Sequence, residues 1–314
     1  MKRIVLVLCL MLLPVGAGAG EMLEYVPKSA TVVFQLRHLD TAPAWQDILD
    51  LYRGKLAKQN DPNLVLLSYI LRQFRFSTIV GGYSRGAQLS NNILALEPQL
   101  TGQGEQFNKF LVENLGSFVA VDQNWQKKEV AGAKIYFDSR GESNEKLTSF
   151  SVAADQIILA SNSDLIGQCL VAAAKHNSVT GSAWYLSLAN TAMKDYDGAV
   201  FINNQGREFT SYLKTWEQNN KMVVLLSKDW IDTLGFSFSF SDGNRLRGRI
   251  VFQCSQLGKV PLVKSDAEFL GEAAKRRYSA GQLDIKSKVT VNGTRVTMDF
   301  EAVNWRPIFE QEMH

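Results

Sequence analysis

The strongest constraint on the fold is a pattern that occurs twice along the chain. The segment FSTIVGGYSRGAQLSNNILAL (76–96) aligns without gaps with TLGFSFSFSDGNRLRGRIVFQ (233–253). Both alternate apolar and polar residues on either side of a polar–glycine pair, Arg85-Gly86 in the first and Asp242-Gly243 in the second. Such alternation around a glycine turn predicts a β-hairpin. Each half of the chain should therefore contain a hairpin at the same position.

The segments that flank the two hairpins also correspond. A short β-branched run precedes each hairpin, at 30–38 and at 198–206. Downstream, 148–170 resembles 287–309, and each predicts a strand, a tight turn, a second strand and a helix. The helices predicted before the hairpins are 42–59, 63–74, 207–218 and 221–231. The tight turns are predicted at Ala154-Asp155 and Asn292-Gly293.

The repeated order predicts an α+β fold of two similar units that arose by tandem duplication. Each unit should be an antiparallel sheet with helices packed on one face. The first unit should span 20–175 and the second 184–314, with the loop-like segment 176–183 (HNSVTGSA) as the joint. The alternative is generic alternation in two halves that share no ancestry.

The N-terminus has the features of a secretory signal peptide. Two basic residues, Lys2 and Arg3, precede the apolar run 4–13, and small residues follow as far as Ala19. The run is shorter than the roughly 20 apolar residues that a membrane-spanning helix needs. We therefore expect cleavage of residues 1–19 near Ala19, a periplasmic or secreted location, and no transmembrane segment in the mature chain.

The overall charge does not indicate a polyanionic partner. The chain has 34 Lys and Arg residues against 31 Asp and Glu residues, and two of the basic residues lie in the signal segment. A chain so nearly balanced has no global attraction to nucleic acid or anionic lipid. We expect no nucleic-acid partner, and we expect the densest basic cluster, AAKRRY at 273–278, to be a solvated helix end.

Two cysteines, Cys169 and Cys254, remain after processing. In an exported protein they could form one disulfide. Both have apolar neighbours in the sequence, and free cysteine behaves as a small buried hydrophobe. We therefore expect two unpaired, buried thiols.

The segment 82–86 (GYSRG) matches the G-x-S-x-G pattern of serine-hydrolase nucleophiles, with Ser84 as the serine. That chemistry requires a strand, a sharp turn at the serine and then a helix. The residues after Ser84 alternate like a strand. A triad in the familiar chain order would need Asp155 or Asp164 as the acid and His176 as the base. We expect Ser84 to belong to a hairpin turn and His176 to be an exposed residue at a helix end.

No other pattern predicts a catalytic, cofactor-binding or metal site. The three histidines, His38, His176 and His314, are scattered, and the cysteines lack the spacing of metal ligands. The chain has no glycine motif for phosphate or dinucleotide binding. We therefore expect no catalytic residue, no cofactor and no metal.

An aromatic stripe is the remaining candidate for a binding feature. Phe236, Phe238 and Phe240 should share one face of a strand, with serines on the other face. Such a face could line a cleft for lipid or another apolar ligand. A sheet face beneath helices is normally core, so we expect these side chains to pack against helices.

Two blocks, YVPKSATVVFQLRHLD (25–40) and IILASNSDLIGQCLVAA (157–173), resemble exported bacterial proteins of unknown function. Those proteins open with a Pro-x-x-Ala first strand after the signal peptide. They later carry a strand ending in Ala-Ser-Asn and then a helix. The resemblance implies location and fold and identifies no functional residue. In that block Ser163 is the expected helix N-cap.

These observations predict a non-enzymatic exported protein that acts by binding, as an envelope assembly factor, chaperone or scaffold. Its partner would be an envelope protein or an apolar ligand. Two alternatives stay open. One is a serine hydrolase that uses Ser84, and the other is a carrier of lipid or another apolar ligand.

Overall fold

The protein has an α+β fold in which antiparallel sheet predominates, as the sequence predicts. The computed structural model describes residues 22–39, 41–45, 47–48, 76–85, 90–98, 106, 109, 125–138, 149–153, 156–207, 210, 229–241, 244–278 and 284–306. The chain divides into two compact units, whose described residues lie within 22–182 and 183–306.

The first unit is built on seven described strands. They are β1 (Val32–Leu36), β2 (Phe76–Arg85), β3 (Ser90–Pro98), β4 (Trp125–Val130), β5 (Ala133–Asp138), β6 (Ser149–Ala153) and β7 (Gln156–Ala160). Their order in the sheet is β1-β2-β3-β7-β6-β5-β4, and each adjacent pair is antiparallel. Helix α1 (Ser163–Ala174) follows β7 directly. Single 3-10 turns lie at Leu23–Tyr25 and Val179–Gly181.

The hairpin predicted over 76–96 is present as β2 and β3. Its innermost described pair is Arg85 opposite Ser90, and the turn residues between them, including Gly86, lie outside the described residues. Strands β6 and β7 form the second predicted hairpin, closed by Ala153 opposite Gln156. A third hairpin, β4–β5, was not predicted. Its turn at Ala131-Gly132 has positive φ at both residues, 50° and 77°, which favours glycine at the second.

Helix α1 begins where its sequence block predicts, but with a different cap. The side chain of Asn162 accepts a hydrogen bond from the backbone N–H of Leu165 at 2.7 Å, and Ser163 is the first helical residue. The expectation of Ser163 as N-cap was therefore wrong by one residue. Asn162 has the extended backbone that an N-cap needs, and its side-chain oxygen reaches the N–H of Leu165 in the first turn.

The second unit has five described strands and two described helices. The strands are β8 (Gly198–Asn203), β9 (Ile231–Ser241), β10 (Arg245–Cys254), β11 (Asp284–Asn292) and β12 (Arg295–Val303), in the order β11-β12-β10-β9-β8. All adjacent pairs are antiparallel. The helices are α2 (Ala183–Ala189) and α3 (Val260–Tyr278). The predicted turn at Asn292-Gly293 closes β11–β12, with Gly293 at φ 57°.

Helices α2 and α3 lie on opposite faces of this sheet. A Cβ on Gly235, which pairs with Val251, would meet Leu188 of α2 at 3.3 Å. A Cβ on Gly271 of α3 would instead meet the Met298 sulfur at 3.8 Å, and Met298 pairs with Ile250. Val251 and Ile250 are neighbours in β10, and neighbouring residues of a strand point to opposite faces. Helix α2 therefore packs on the face of Val251 and α3 on the face of Ile250. The expectation of helices on one face was wrong for this unit.

Several parts of the sequence prediction lie wholly or largely outside the described residues. They are the predicted signal segment 1–19, the predicted helices 42–59, 63–74, 207–218 and 221–231, and the predicted turns at Ala154-Asp155 and Asp242-Gly243. At the end of the last of these helices, Trp230 lies in a turn and Ile231 opens β9. No helix among the described residues is both long and apolar enough to span a bilayer.

Candidate functional site

Ser84 does not lie in the backbone setting of a hydrolase nucleophile. It is the penultimate residue of β2 and pairs with Asn91 of β3, so a strand and not a helix follows it across the turn. Of its suggested partners, Asp155 lies outside the described residues. Asp164 is in the first turn of α1 and forms an ion pair with Lys128 at 2.5 Å.

His176 is an exposed residue just after α1, as predicted, and it borders a hydroxyl–carboxylate cluster. Its side chain is 86% exposed, and its Nδ1 lies 3.9 Å from Glu24 Oε2. The two carboxylate oxygens of Glu24 accept hydrogen bonds from Ser178 and Thr180, each at 3.0 Å. The backbone N–H of Val179 donates to the carbonyl of Val26, so this cluster holds the 22–27 segment onto the 176–182 loop.

The other predicted candidates are dispersed. His38 lies just after β1, and His314 lies outside the described residues. Cys169 in α1 and Cys254 at the end of β10 are both buried free thiols, as predicted. Within the described parts of the chain, no three His, Cys, Asp or Glu side chains are close enough to hold a metal ion.

The aromatic stripe of β9 lies on one sheet face as predicted, and aromatic neighbours pack against it. Phe236 stacks on Phe300 of β12 with ring centroids 6.0 Å apart, and Phe240 meets Trp305 at 4.7 Å. Phe238 lies between Phe236 and Phe240 in the row and is 3% exposed. These rings form core contacts with one another.

The opposite face of the same strands carries charge. We call this the charged face: the side chains of β10, β12 and β11 that point away from the aromatic stripe. Its centre consists of two rows across the three strands, Arg247–Glu301–Lys286 and Arg249–Asp299–Lys288. In each row the acid of β12 stands between an arginine and a lysine. Glu301 is 3.1 Å from Arg247 Nε, and Asp299 is 2.7 Å from Arg249 Nε.

An open cleft of about 340 Å³ lies over these rows. Besides the six charged side chains, it is lined by Met193 and by Gly248, Ser287 and Phe300. Met193 is held at the border because its N–H donates to Ser237 Oγ at 3.0 Å. The neighbouring carbonyl of Thr191 accepts from Arg249 Nη1 at 3.4 Å.

Glycine at position 248 lets the rows form. A Cβ there would lie 2.1 Å from the ring of Phe300, which covers the glycine from the aromatic side. The ring thereby fills the space opposite the cleft, and β10 and β12 keep the register that places Arg247 beside Glu301.

Cations outnumber anions in this lining by four to two. Lys288 has no ion pair among the described residues, and Arg247 bonds Glu301 through Nε while its side chain is 53% exposed. Lys286 pairs with Asp284 at 3.5 Å and is 76% exposed. An arginine fork and an ammonium group that are open to solvent are suited to binding carboxylate or phosphate.

The sequence prediction missed this site, although a signal for it was available. Charges recur at every second residue in RLRGR (245–249), KSK (286–288) and DFE (299–301). In strands this period places each set on one face. What the sequence alone did not indicate was that β12 lies between β10 and β11, which brings the three sets together.

Comparison with known proteins gives a likeness of fold. The chain matches no protein-family model and no curated protein. The crystal form III structure of TP0453 is similar over 92% of this chain and 96% of that chain, with 12% identity and a TM-score of 0.51. Crystal form I of TP0453 gives 11% identity, coverage of 93% and 96%, and a TM-score of 0.49.

Proposed function

We propose that this is a non-enzymatic exported protein that acts by binding an anionic ligand or partner at the charged face. The observation that carries the proposal is the excess of cations over anions in the cleft lining, with Lys288 unpaired among the described residues and the Arg247 side chain 53% exposed. An assembly factor, chaperone or scaffold of the envelope would use such a face to hold an acidic partner protein.

The charged face is favoured over the two other candidate functions by specific contacts. An apolar carrier would need the aromatic side of β9 to be open, but Phe236, Phe240 and their neighbours pack against one another and against Trp305. A serine hydrolase would need a helix after Ser84, where the structure has β3.

We also propose that the two units arose by tandem duplication. The order of strands in the sheet is β1-β2-β3-β7-β6 in the first unit and β8-β9-β10-β12-β11 in the second. Strands that correspond by their place along the chain therefore have the same place in the sheet. The first unit differs by the extra β4–β5 hairpin. Under this proposal the units correspond to 20–175 and 184–314, with the 176–183 segment as the joint.

Binding can be tested with a panel of defined anions. Citrate, tripolyphosphate and hexaglutamate would each be titrated calorimetrically into the mature protein at low salt. We expect at least one to bind, and the double variant Arg247→Gln/Lys288→Gln to bind it about tenfold more weakly, since charge-assisted hydrogen bonds are lost. In that variant Glu301 would still have Arg245, now 3.8 Å away, as an ion-pair partner, so we expect the fold to be retained.

The matched control is Lys127→Gln/Lys175→Gln, which removes the same charge from two exposed positions of the first unit. It should bind like the unaltered protein. The proposal fails if none of the three anions binds, or if both double variants weaken binding equally.

A further inference from the structure

Strand β11 forms one side of the charged face and is exposed along most of its nine residues. Among the described strands it pairs only with β12. Six of its polar side chains and Val291 are exposed, and Ile285 is buried. A strand in this position presents backbone N–H and C=O groups that a further strand can bind.

The charges across the sheet alternate in sign towards this strand. In both central rows an arginine on β10 is followed by an acid on β12 and then by a lysine on β11, Lys286 or Lys288. The next position outward, about 4.8 Å beyond β11, would continue each row with an acid. In the adjacent row β11 carries Asp284, and the complementary side chain there is basic.

We propose that β11 binds an extended acidic segment of a partner protein, which adds to the sheet as an antiparallel strand with the pattern acid-x-acid-x-base. The first acid pairs with Lys288, the second with Lys286, and the base with Asp284. This inference rests on the proposed function, because it names the partner of the same charged face. The x side chains would lie on the sheet face on which α3 packs, the face of Ser287 and Met298.

The same lysines make the edge selective. A neutral strand that added to β11 would desolvate two ammonium groups without compensation, and a basic strand would be repelled. A small anion could pair with one row but would form no backbone hydrogen bonds with β11. An acidic strand can do both at once, so it should bind more tightly than a free dicarboxylate.

The inference can be tested with a synthetic peptide, acetyl-Thr-Val-Glu-Val-Glu-Val-Lys-Thr-amide, labelled with a fluorophore. Its anisotropy would be followed on titration with the mature protein, and hydrogen exchange of β11 amides would be measured with and without peptide. We expect saturable binding and slower exchange in β11. A peptide with Gln in place of both Glu residues, and one with N-methylated valines, should each bind at least about tenfold more weakly.

Charge exchange supplies the specific control on the protein side. Lys286→Glu/Lys288→Glu should lose the acidic peptide and gain binding of the same peptide with Lys at both Glu positions. The matched variant Lys127→Glu/Lys175→Glu should keep the original preference. Circular dichroism and urea unfolding of both variants show whether the fold is retained.

The outcomes separate the two proposals. Glutarate, a free dicarboxylate, would be titrated beside the peptides. Equal binding of glutarate, the N-methylated peptide and the acidic peptide would overturn strand addition and leave anion binding intact. Binding that protects no β11 amide, or that survives the charge exchange, would also overturn strand addition. If no anion binds at all, both proposals fail.

Discussion

At the scale of single residues, burial decides the chemistry of the two cysteines. Cys169 is 0% exposed and Cys254 is 3% exposed. Burial raises the pKa of the Cys169 thiol far above its ordinary value, because a thiolate would lose its hydration. Burial also raises the pKa of Cys254, and the negative charge of Asp232 adds to that rise. Both groups therefore stay protonated at pH values where a free thiol begins to ionise.

This predicts slow alkylation of both thiols in the native protein. Iodoacetamide at pH 8 should leave the native mass unchanged over minutes and should add two labels in urea, while reduction alone adds no hydrogens. Because folding raises both pKa values, the contribution of the thiols to the free energy of unfolding is complete below the unfolded thiol pKa of about 9 and declines as the pH rises above it. Rapid labelling of the native protein, or a gain of two hydrogens on reduction, would contradict the burial and the free thiols.

At the scale of elements, local hydrogen bonds decide where helices begin. Helix α1 follows β7 after two residues, and its first turn leaves backbone N–H groups that need acceptors. Asn162 supplies one acceptor, and its extended backbone turns the chain from strand to helix. The helix then buries Leu165, Ile166 and Leu170.

Removal of that cap should be measurable. Asn162→Ala should lower the free energy of unfolding by about 1 kcal/mol, while Asn162→Asp, which keeps the acceptor, should change it by a few tenths of a kcal/mol at most. Ser163→Ala should also have little effect, because Asn162 holds the cap. Urea unfolding curves with a constant slope would report these differences. A larger loss for Ser163→Ala than for Asn162→Ala would show that the cap is at Ser163.

At the scale of the whole molecule, the proposed export would determine which chain folds. The hydroxyl–carboxylate cluster around Glu24 holds the chain from Met22 to Pro27, only a few residues beyond the expected cleavage position. A signal segment removed near Ala19 would leave this anchored segment close to the new N-terminus. The described part of the mature chain would therefore be tied down almost from its start.

The cleavage itself is a prediction with a direct readout. Expressed with its own N-terminus in a bacterium with a periplasm, the protein should appear in the periplasmic fraction with residues 1–19 missing, as intact mass and N-terminal sequencing would show. Ala19→Leu should slow the processing, because the peptidase reads small residues there, whereas Ala17→Ser should be processed normally. An unprocessed chain in the cytoplasm would refute the export proposal.

The sequence by itself determined four hairpins, which are β2–β3, β6–β7, β9–β10 and β11–β12. Period-two alternation in 76–96 and 233–253 needs only neighbouring residues, and a turn such as Asn292-Gly293 closes two strands that are adjacent in the chain. The burial of Cys169 and the placement of the aromatic stripe on one sheet face also followed from local polarity, whereas the expected packing of the stripe against helices did not: its rings contact Phe300 and Trp305. Such features depend on short-range geometry, so a single sequence is sufficient for them.

The tertiary structure alone decided on which side each helix lies and where the charges meet. Helix α2 and helix α3 have no sequence feature that assigns them to opposite faces, because the face depends on the path of the connections. Arg247 and Glu301 are 54 residues apart and become neighbours because β12 inserts between β10 and β11. That order is a choice among long-range pairings, which residues near one another in the chain do not specify.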